Sequence, residues 1–351
     1  MSAAPEDDKD KASTTTTRYD AHAKEAELRA ASEAWDIATT LSETARDEDI
    51  PLIDLSSATS KQLRHACTKV GFYYLVGHGI SATLRKETFA AIRDFYNLPQ
   101  HVKETLRMDR QGFPVGGVGY LPYHHRKLPT RKKGNANEAF IVKRQTGKTV
   151  SIRLEDNQWP AETVLPGFQR TIMAYANAME QLALKLLPLY AAALDLDTHF
   201  FDEAFTSPCY RLRMTKYPPV QAYEADEFGI APHVDTSFFT ILDQDSPGLV
   251  IYCEQRQCWL KAPLVEGALI VNTGELLRQW TNDVFVSVKH FANHNVTTES
   301  SATPRFSIPF FFNANADYCM HCIPTCCSLD SNPPKYPPFS YEESQAIAQG
   351  E

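Results

Sequence analysis

Hydrophobic positions show no regular spacing at the start of this chain and become patterned only from Ile50 onward. Residues 1 to 49 open as a polar, acidic, Thr-rich tail. An Ala/Glu-rich stretch from Asp20 to Ala45 follows, with the composition of a helix but no firm apolar stripe. From Ile50 the pattern predicts a short strand, a helix with Leu63, Cys67 and Val70 on one side ending at Gly71, and a strand from Phe72 to Val76. Ser81 stands where it caps the next helix. Beyond Phe168, the residues Ile172, Tyr175, Met179, Leu182, Leu186, Leu189 and Ala193 recur at spacings of three and four. That is a core-facing helical stripe, which Pro188 is expected to bend or interrupt. After about Phe205 the signal changes to short strands broken by Pro, Gly, Asn and Asp, the pattern of two facing sheets with Greek-key connections.

With 351 residues, 43% of them hydrophobic and 11% aromatic, the chain can bury a sizeable core. A net charge of -8 argues against nucleic acid as a partner, because phosphate backbones reward clustered basic surface. No apolar run is long enough to span a bilayer. Met1 to Asp20 is too polar for a secretory signal and too acidic for a transit peptide, so a cytoplasmic location is expected. In that setting the eight cysteines read as reduced thiols. Cys319, Cys322, Cys326 and Cys327, with His321 among them, begin like a zinc site. No second spaced pair follows, and adjacent Cys326 and Cys327 make awkward co-ligands.

His233 and Asp235 stand two residues apart in Ala231-Pro232-His233-Val234-Asp235, and His290 follows far downstream. On a strand, residues two apart share a face, so both side chains can converge on one ion. Two imidazoles and a carboxylate on one side of a metal leave positions open, which suits Fe(II) that must bind O2 and a chelating co-substrate. A His-x-Asp pair alone also arises by chance on a surface. Pro304-Arg305-Phe306-Ser307-Ile308-Pro309-Phe310 adds a second element. Arg305 and Ser307 share one face of an otherwise apolar strand, and a guanidinium there needs an anionic partner. A protein acid could serve. Beside an iron triad, a small dicarboxylate fits the fork of the guanidinium and the adjacent hydroxyl.

Further motifs occur in a fixed order: Ile50-Pro51-Leu52-Ile53-Asp54-Leu55, Gly71-Phe72-Tyr73-Tyr74-Leu75-Val76-Gly77-His78-Gly79-Ile80, Phe95-Tyr96-Asn97-Leu98-Pro99, Gly119-Tyr120, Glu138-Ala139-Phe140, Leu165-Pro166-Gly167-Phe168, Tyr217-Pro218-Pro219, Gly248-Leu249, Trp259 and Val271-Asn272-Thr273-Gly274. With His233-x-Asp235 and Arg305-x-Ser307, they make most of the chain resemble the 2-oxoglutarate- and Fe(II)-dependent dioxygenases of the isopenicillin N synthase-like superfamily. There are departures. Thr215 stands where the family often has Asn, Glu275 where it has Asp, and Phe291 where it has the Arg after the distal His.

The resemblance implies a mainly β fold with helical additions (α+β), a double-stranded β-helix or jelly-roll core flanked by helices. It divides the chain into an N-terminal extension (1–49), an N-terminal dioxygenase region (50–150), a helical support (151–204), the catalytic core (205–340) and a tail (341–351). Fe(II) would be held by His233, Asp235 and His290, and 2-oxoglutarate by Arg305, Ser307 and Tyr217. His290 competes with His294, about 13 Å further along a strand. Counting from Gly274 favours His290, reading Ala268 to Asn272 and Val284 to Val288 as ungapped strands. Counting back from Arg305 favours His294, unless Thr297 to Thr303 is an enlarged hairpin loop. The implied reaction couples O2 and 2-oxoglutarate to oxidation of an unactivated C–H bond, by hydroxylation, desaturation or ring closure, releasing succinate and CO2. His294, Tyr120 and Arg126 are expected to line the substrate pocket of a monomer. Arg126, Lys127, Arg131, Lys132 and Lys133 would favour a carboxylated small molecule, though a solvated basic loop reads the same. Two alternatives stand: an iron-dependent oxidase that holds a substrate carboxylate with the Arg-x-Ser pair, and a non-catalytic metal-binding relative.

Overall fold

The computed structural model describes residues 43–108, 117–124, 134–144, 157–219, 227–294 and 303–344. Its strands are β1 (Glu43–Thr44), β2 (Leu52–Asp54), β3 (Phe72–Val76), β4 (Gly119–Leu121), β5 (Glu138–Lys143), β6 (Cys209–Tyr217), β7 (Ile230–His233), β8 (Phe239–Gln244), β9 (Leu249–Cys253), β10 (Cys258–Lys261), β11 (Leu269–Thr273), β12 (His290–Ala292) and β13 (Arg305–Asn313). Its helices are α1 (Ser60–His65), α2 (Ala82–Asn97), α3 (Gln100–Glu104), α4 (Phe168–Ala193) and α5 (Glu275–Trp280). Most of the Ala/Glu-rich stretch from Asp20 to Ala45 lies outside the described residues. Its end, Glu43–Thr44, is a strand parallel to β10.

Sequence signals account for the helix boundaries. Thr59 and Gln62 form a reciprocal capping box at the start of α1. The chain then widens into a π turn over Ala66–Val70, and Gly71 ends it in the left-handed region at φ 75°. The Ser81 hydroxyl accepts the Leu84 amide at 3.4 Å and caps α2. Pro188 does not interrupt α4, which runs for 26 residues with its predicted stripe inward.

The strands form two sheets, one in the order β1-β10-β9-β12-β7 and one in the order β2-β3-β11-β8-β13-β6-β5-β4. Strands from the N-terminal region thus extend the larger sheet at both edges. Alternation gives that sheet two different faces. Leu212, Met214, Phe140, Ile241, Ile308 and Phe310 share one hydrophobic core with Ile172, Tyr175 and Met179 of α4, so this face is covered by helices. Leu242 and Ile270 pack on the other face with Leu249, Ile251 and Leu260 of the smaller sheet. The interior of the jelly roll lies between. Val284–Val288, predicted as a strand, joins neither sheet, since its Val286 amide turns to the Cys67 carbonyl near the start of the π turn.

Candidate metal and co-substrate site

β7 and β12 run antiparallel with His233 and His290 as register partners. Asp235 lies two residues beyond His233, and one ligand atom from each of the three residues falls within 4.8 Å of the others. The Oδ1 of Asp235 is 3.4 Å from Nε2 of His233 and 3.6 Å from Nε2 of His290. Each imidazole is turned by its own backbone. Nδ1 of His233 donates to the Ala231 carbonyl at 2.8 Å, and Nδ1 of His290 to the Val288 carbonyl at 3.0 Å. A proton held on Nδ1 leaves the Nε2 lone pair for a metal. The same i-2 bond supplies the orientation of His290 that the missing Arg at Phe291 leaves open, and Phe72 packs edge-on against the ring.

The larger sheet holds the carboxylate from the other side. Thr240 of β8 donates to Asp235 Oδ2 at 2.7 Å, and Asn272 of β11 donates to the same oxygen at 2.8 Å. Burial pushes the Asp235 pKa up, but the two imidazoles outweigh it and keep the carboxyl well below its usual range. Burial, then the neighbouring His290, lowers the pKa of His233. Burial also opposes charge on His290, yet Asp235 outweighs it and raises that pKa. An ionised carboxylate beside a neutral imidazole is the donor chemistry a divalent iron requires.

Arg305, Ser307 and Tyr217 meet on the interior face of the larger sheet. Arg305 is 1% exposed and opposes Tyr217 across the β13–β6 ladder, with its guanidinium 4.6 Å from the phenol ring centroid. Nε donates to the Ser246 carbonyl and Nη2 to Gln244 Oε1, while Nη1 is buried with no partner among the described residues. The Ser307 and Tyr217 hydroxyls lie 3.4 Å apart beside it. Gly248 lets the chain approach this side chain, since a Cβ there would stand 2.6 Å from Arg305 Nε. A buried cation with an unfilled donor and two hydroxyls fits the far carboxylate of 2-oxoglutarate.

His294 is buried, and its Nε2 lies 2.6 Å from the Thr303 carbonyl rather than beside Asp235. Tyr120 does not join the site, which corrects the expectation for it. Register carries Tyr120 through Phe140 to Met214, all on the helix-covered face, and its hydroxyl donates to Glu138 at 2.6 Å. A Gly-Tyr motif does not reveal which side of an edge strand faces in. Arg126 lies outside the described residues, as do Lys127 and Arg131 to Lys133. Among the described residues, the metal-capable cluster found is His233, Asp235 and His290, and Cys319, Cys322, Cys326 and Cys327 are free thiols. Sequence reasoning missed the roles of Thr240, Asn272, Gln244 and Gly248. Asn272 and Gly248 stand in motifs named above, whereas Thr240 and Gln244 carry no motif and are found only through strand register.

Comparison with known proteins agrees with this geometry. A family model described as the 2OG-Fe(II) oxygenase superfamily matches residues 206–314, and one described as non-haem dioxygenase in morphine synthesis N-terminal matches residues 50–162. The 2-oxoglutarate-dependent dioxygenase citB of Monascus ruber is 33% identical over 287 residues, covering 76% of this chain and 82% of that protein. The 2-oxoglutarate-Fe(II) type oxidoreductase hxnY of Emericella nidulans is 30% identical over 293 residues, 81% of each. The crystal structure of a full-length Neurospora crassa protein in complex with alpha-KG and 5-formyluracil superimposes with a TM-score of 0.76 at 25% identity, covering 89% of this chain and 100% of that one. On this similarity and the fold it accompanies, the chain belongs to the 2OG-Fe(II) oxygenase superfamily and is an oxidoreductase that uses Fe(II), 2-oxoglutarate and O2.

Proposed function

We propose that His233, Asp235 and His290 hold the Fe(II), that Arg305, Ser307 and Tyr217 hold the far carboxylate of 2-oxoglutarate, and that the enzyme oxidises a C–H bond of a small organic molecule. The product is an alcohol, an alkene or a closed ring, and the by-products are succinate and CO2. The observation that carries the co-substrate assignment is the unfilled, buried Nη1 of Arg305. Leaving a guanidinium so placed without an anion costs several kcal/mol.

When bound, iron and 2-oxoglutarate supply the oxidising power and the protein supplies geometry. The backbone carbonyls of Ala231 and Val288 fix the imidazole tautomers, Thr240 and Asn272 orient the carboxylate, and the apolar interior excludes bulk water. Small-molecule chemistry is supported by the net charge of -8, which offers nothing to a nucleic acid, and by the 5-formyluracil named with the Neurospora crassa protein. No helix among the described residues is long and apolar enough to cross a membrane. Eight free thiols support a cytoplasmic location, and we treat the enzyme as a monomer.

Anaerobic titration with Fe(II) and then 2-oxoglutarate tests the site. A weak visible metal-to-ligand charge-transfer band is expected, absent in His233→Ala and requiring more 2-oxoglutarate in Arg305→Ala. A folded wild-type sample without that band overturns the assignment. Substrate-stimulated succinate release separates this reading from an oxidase that needs no 2-oxoglutarate.

A further inference from the structure

A second buried guanidinium lies on the same interior face and takes no part in the site described above. Arg213, in the middle of β6, is 7% exposed. Its Nε donates to the Thr215 hydroxyl at 3.2 Å and its Nη2 to Asn137 Oδ1 at 3.0 Å, both within the buried interior. Both acceptors are neutral. Among the described residues, no carboxylate is a hydrogen-bond or ion-pair partner of Arg213, and its Nη1 makes no hydrogen bond. Arg85 shows the ordinary solution to the same problem in this chain, a two-pronged pair with Asp243. A buried Arg supplied only with amide and hydroxyl acceptors is oriented but not neutralised.

Strand register places Arg213 between the two functional ends of the cavity. Ser307 opposes Thr215 and Phe310 opposes Leu212, so Arg213 stands across from Pro309, whose partner on β8 is Leu242. One step along the strands in one direction lies the Ser307–Gln244 row beside Arg305. One step in the other lies the row of Thr240 and Asn272, which hold Asp235. Each step is about 7 Å. A second anion seated at Arg213 would therefore lie beside the metal and short of the co-substrate anchor. Thr215, which replaces the Asn frequent in related chains, accepts from Nε and turns the fork.

We propose that Arg213 binds an anionic group of the oxidised substrate, a carboxylate, so that the enzyme selects small organic acids over their neutral counterparts. The inference rests on the metal and co-substrate assignment above. Asn137 and Thr215 hold the guanidinium in place, and the substrate carboxylate fills its open edge. The reacting C–H bond is then presented from a fixed distance.

Two matched pairs of probes test this: phenylacetate against phenylacetamide, and hexanoate against hexanamide. Each is titrated calorimetrically and anaerobically into the Fe(II)- and 2-oxoglutarate-loaded protein. The wild type is expected to bind at least one acid tenfold or more tightly than its amide. Arg213→Gln is expected to erase that preference while its half-saturation for 2-oxoglutarate changes less than threefold. Arg213→Lys, which keeps the charge, is expected to retain part of the preference, and it carries the test if the Gln variant does not fold. Equal or undetectable binding of acids and amides by the loaded wild type overturns the proposal. So does a preference that survives in Arg213→Gln, and so does loss of the 2-oxoglutarate band in a folded Arg213 variant, which would place Arg213 on the co-substrate. Absence of the band from the wild type is a different result, because it removes the underlying co-substrate reading itself.

Discussion

His233 and His290 face each other across one antiparallel ladder, with ring centroids 4.4 Å apart and planes at 52°. This relationship supports the proposal of His290 as the third ligand, because a strand partner of His233 can face the same ion whereas His294 turns to the Thr303 carbonyl. His290→Ala is expected to lower Fe(II) affinity at least a hundredfold, while His294→Ala changes it less than threefold. Competition with a chelating dye under anaerobic conditions measures both, and a reversed order would move the third ligand to His294.

Arg305 depends on a glycine for its position. Gly248→Ala places a methyl group against the Asn293 carbonyl, 2.6 Å from Arg305 Nε and 2.8 Å from its Cδ, at a φ of 154°, so the backbone beside β12 and the guanidinium stem must both shift. The expected result is a rise of about tenfold in the 2-oxoglutarate concentration for half-maximal turnover. Arg305→Ala is expected to raise it roughly a hundredfold, since truncating one partner of a buried charged pair costs about 2–5 kcal/mol. Steady-state succinate release at varied 2-oxoglutarate measures both values.

Asn272 touches no proposed ligand except through Asp235 Oδ2. Asn272→Ala leaves Thr240 as that oxygen's remaining donor, and partners of this kind are worth about 10- to 100-fold in metal affinity. The variant is expected to bind 2-oxoglutarate normally once iron is saturating. A deficit that excess iron does not rescue would show that Asn272 acts on something other than the metal.

Much of this is legible in the chain because period-two alternation needs only one strand. Arg305 with Ser307, and His233 with Asp235, announce a shared face before any partner is known. What a single strand cannot announce is which of its faces points inward. Tyr120, expected in the pocket, lies on the helix side, while Arg213, which no motif marks, lies inside. Both outcomes follow from ladder register across β4, β5, β6 and β13. The supports of Asp235 are hidden for a related reason, since Thr240 and Asn272 come from strands that meet only in the folded sheet.

Glu138 gives the fold a pH dependence that can be read apart from the metal. Lys103 and Tyr120 reach its Oε2 at 2.8 and 2.6 Å, and Lys216 reaches Oε1 at 3.1 Å, tying α3, β4 and β6 to β5. Burial pushes the Glu138 pKa up, but Lys103, Tyr120 and Lys216 outweigh it, so the folded value lies below the ordinary one. A carboxyl depressed on folding contributes stability that is fully present above its unfolded pKa, about 4.3, and is lost as pH falls through the folded value. Glu138→Gln removes that contribution and leaves two lysines without their anion, a loss of roughly 3 kcal/mol at pH 7. The gap between wild type and variant is expected to narrow as pH falls below about 4.3, because the unfolded wild-type chain then binds a proton that the folded carboxyl accepts only at lower pH. Urea unfolding at pH 7, 5, 4 and 3 measures the gap, and a gap that stays constant down to pH 3 would show that Glu138 acts by packing and not by charge.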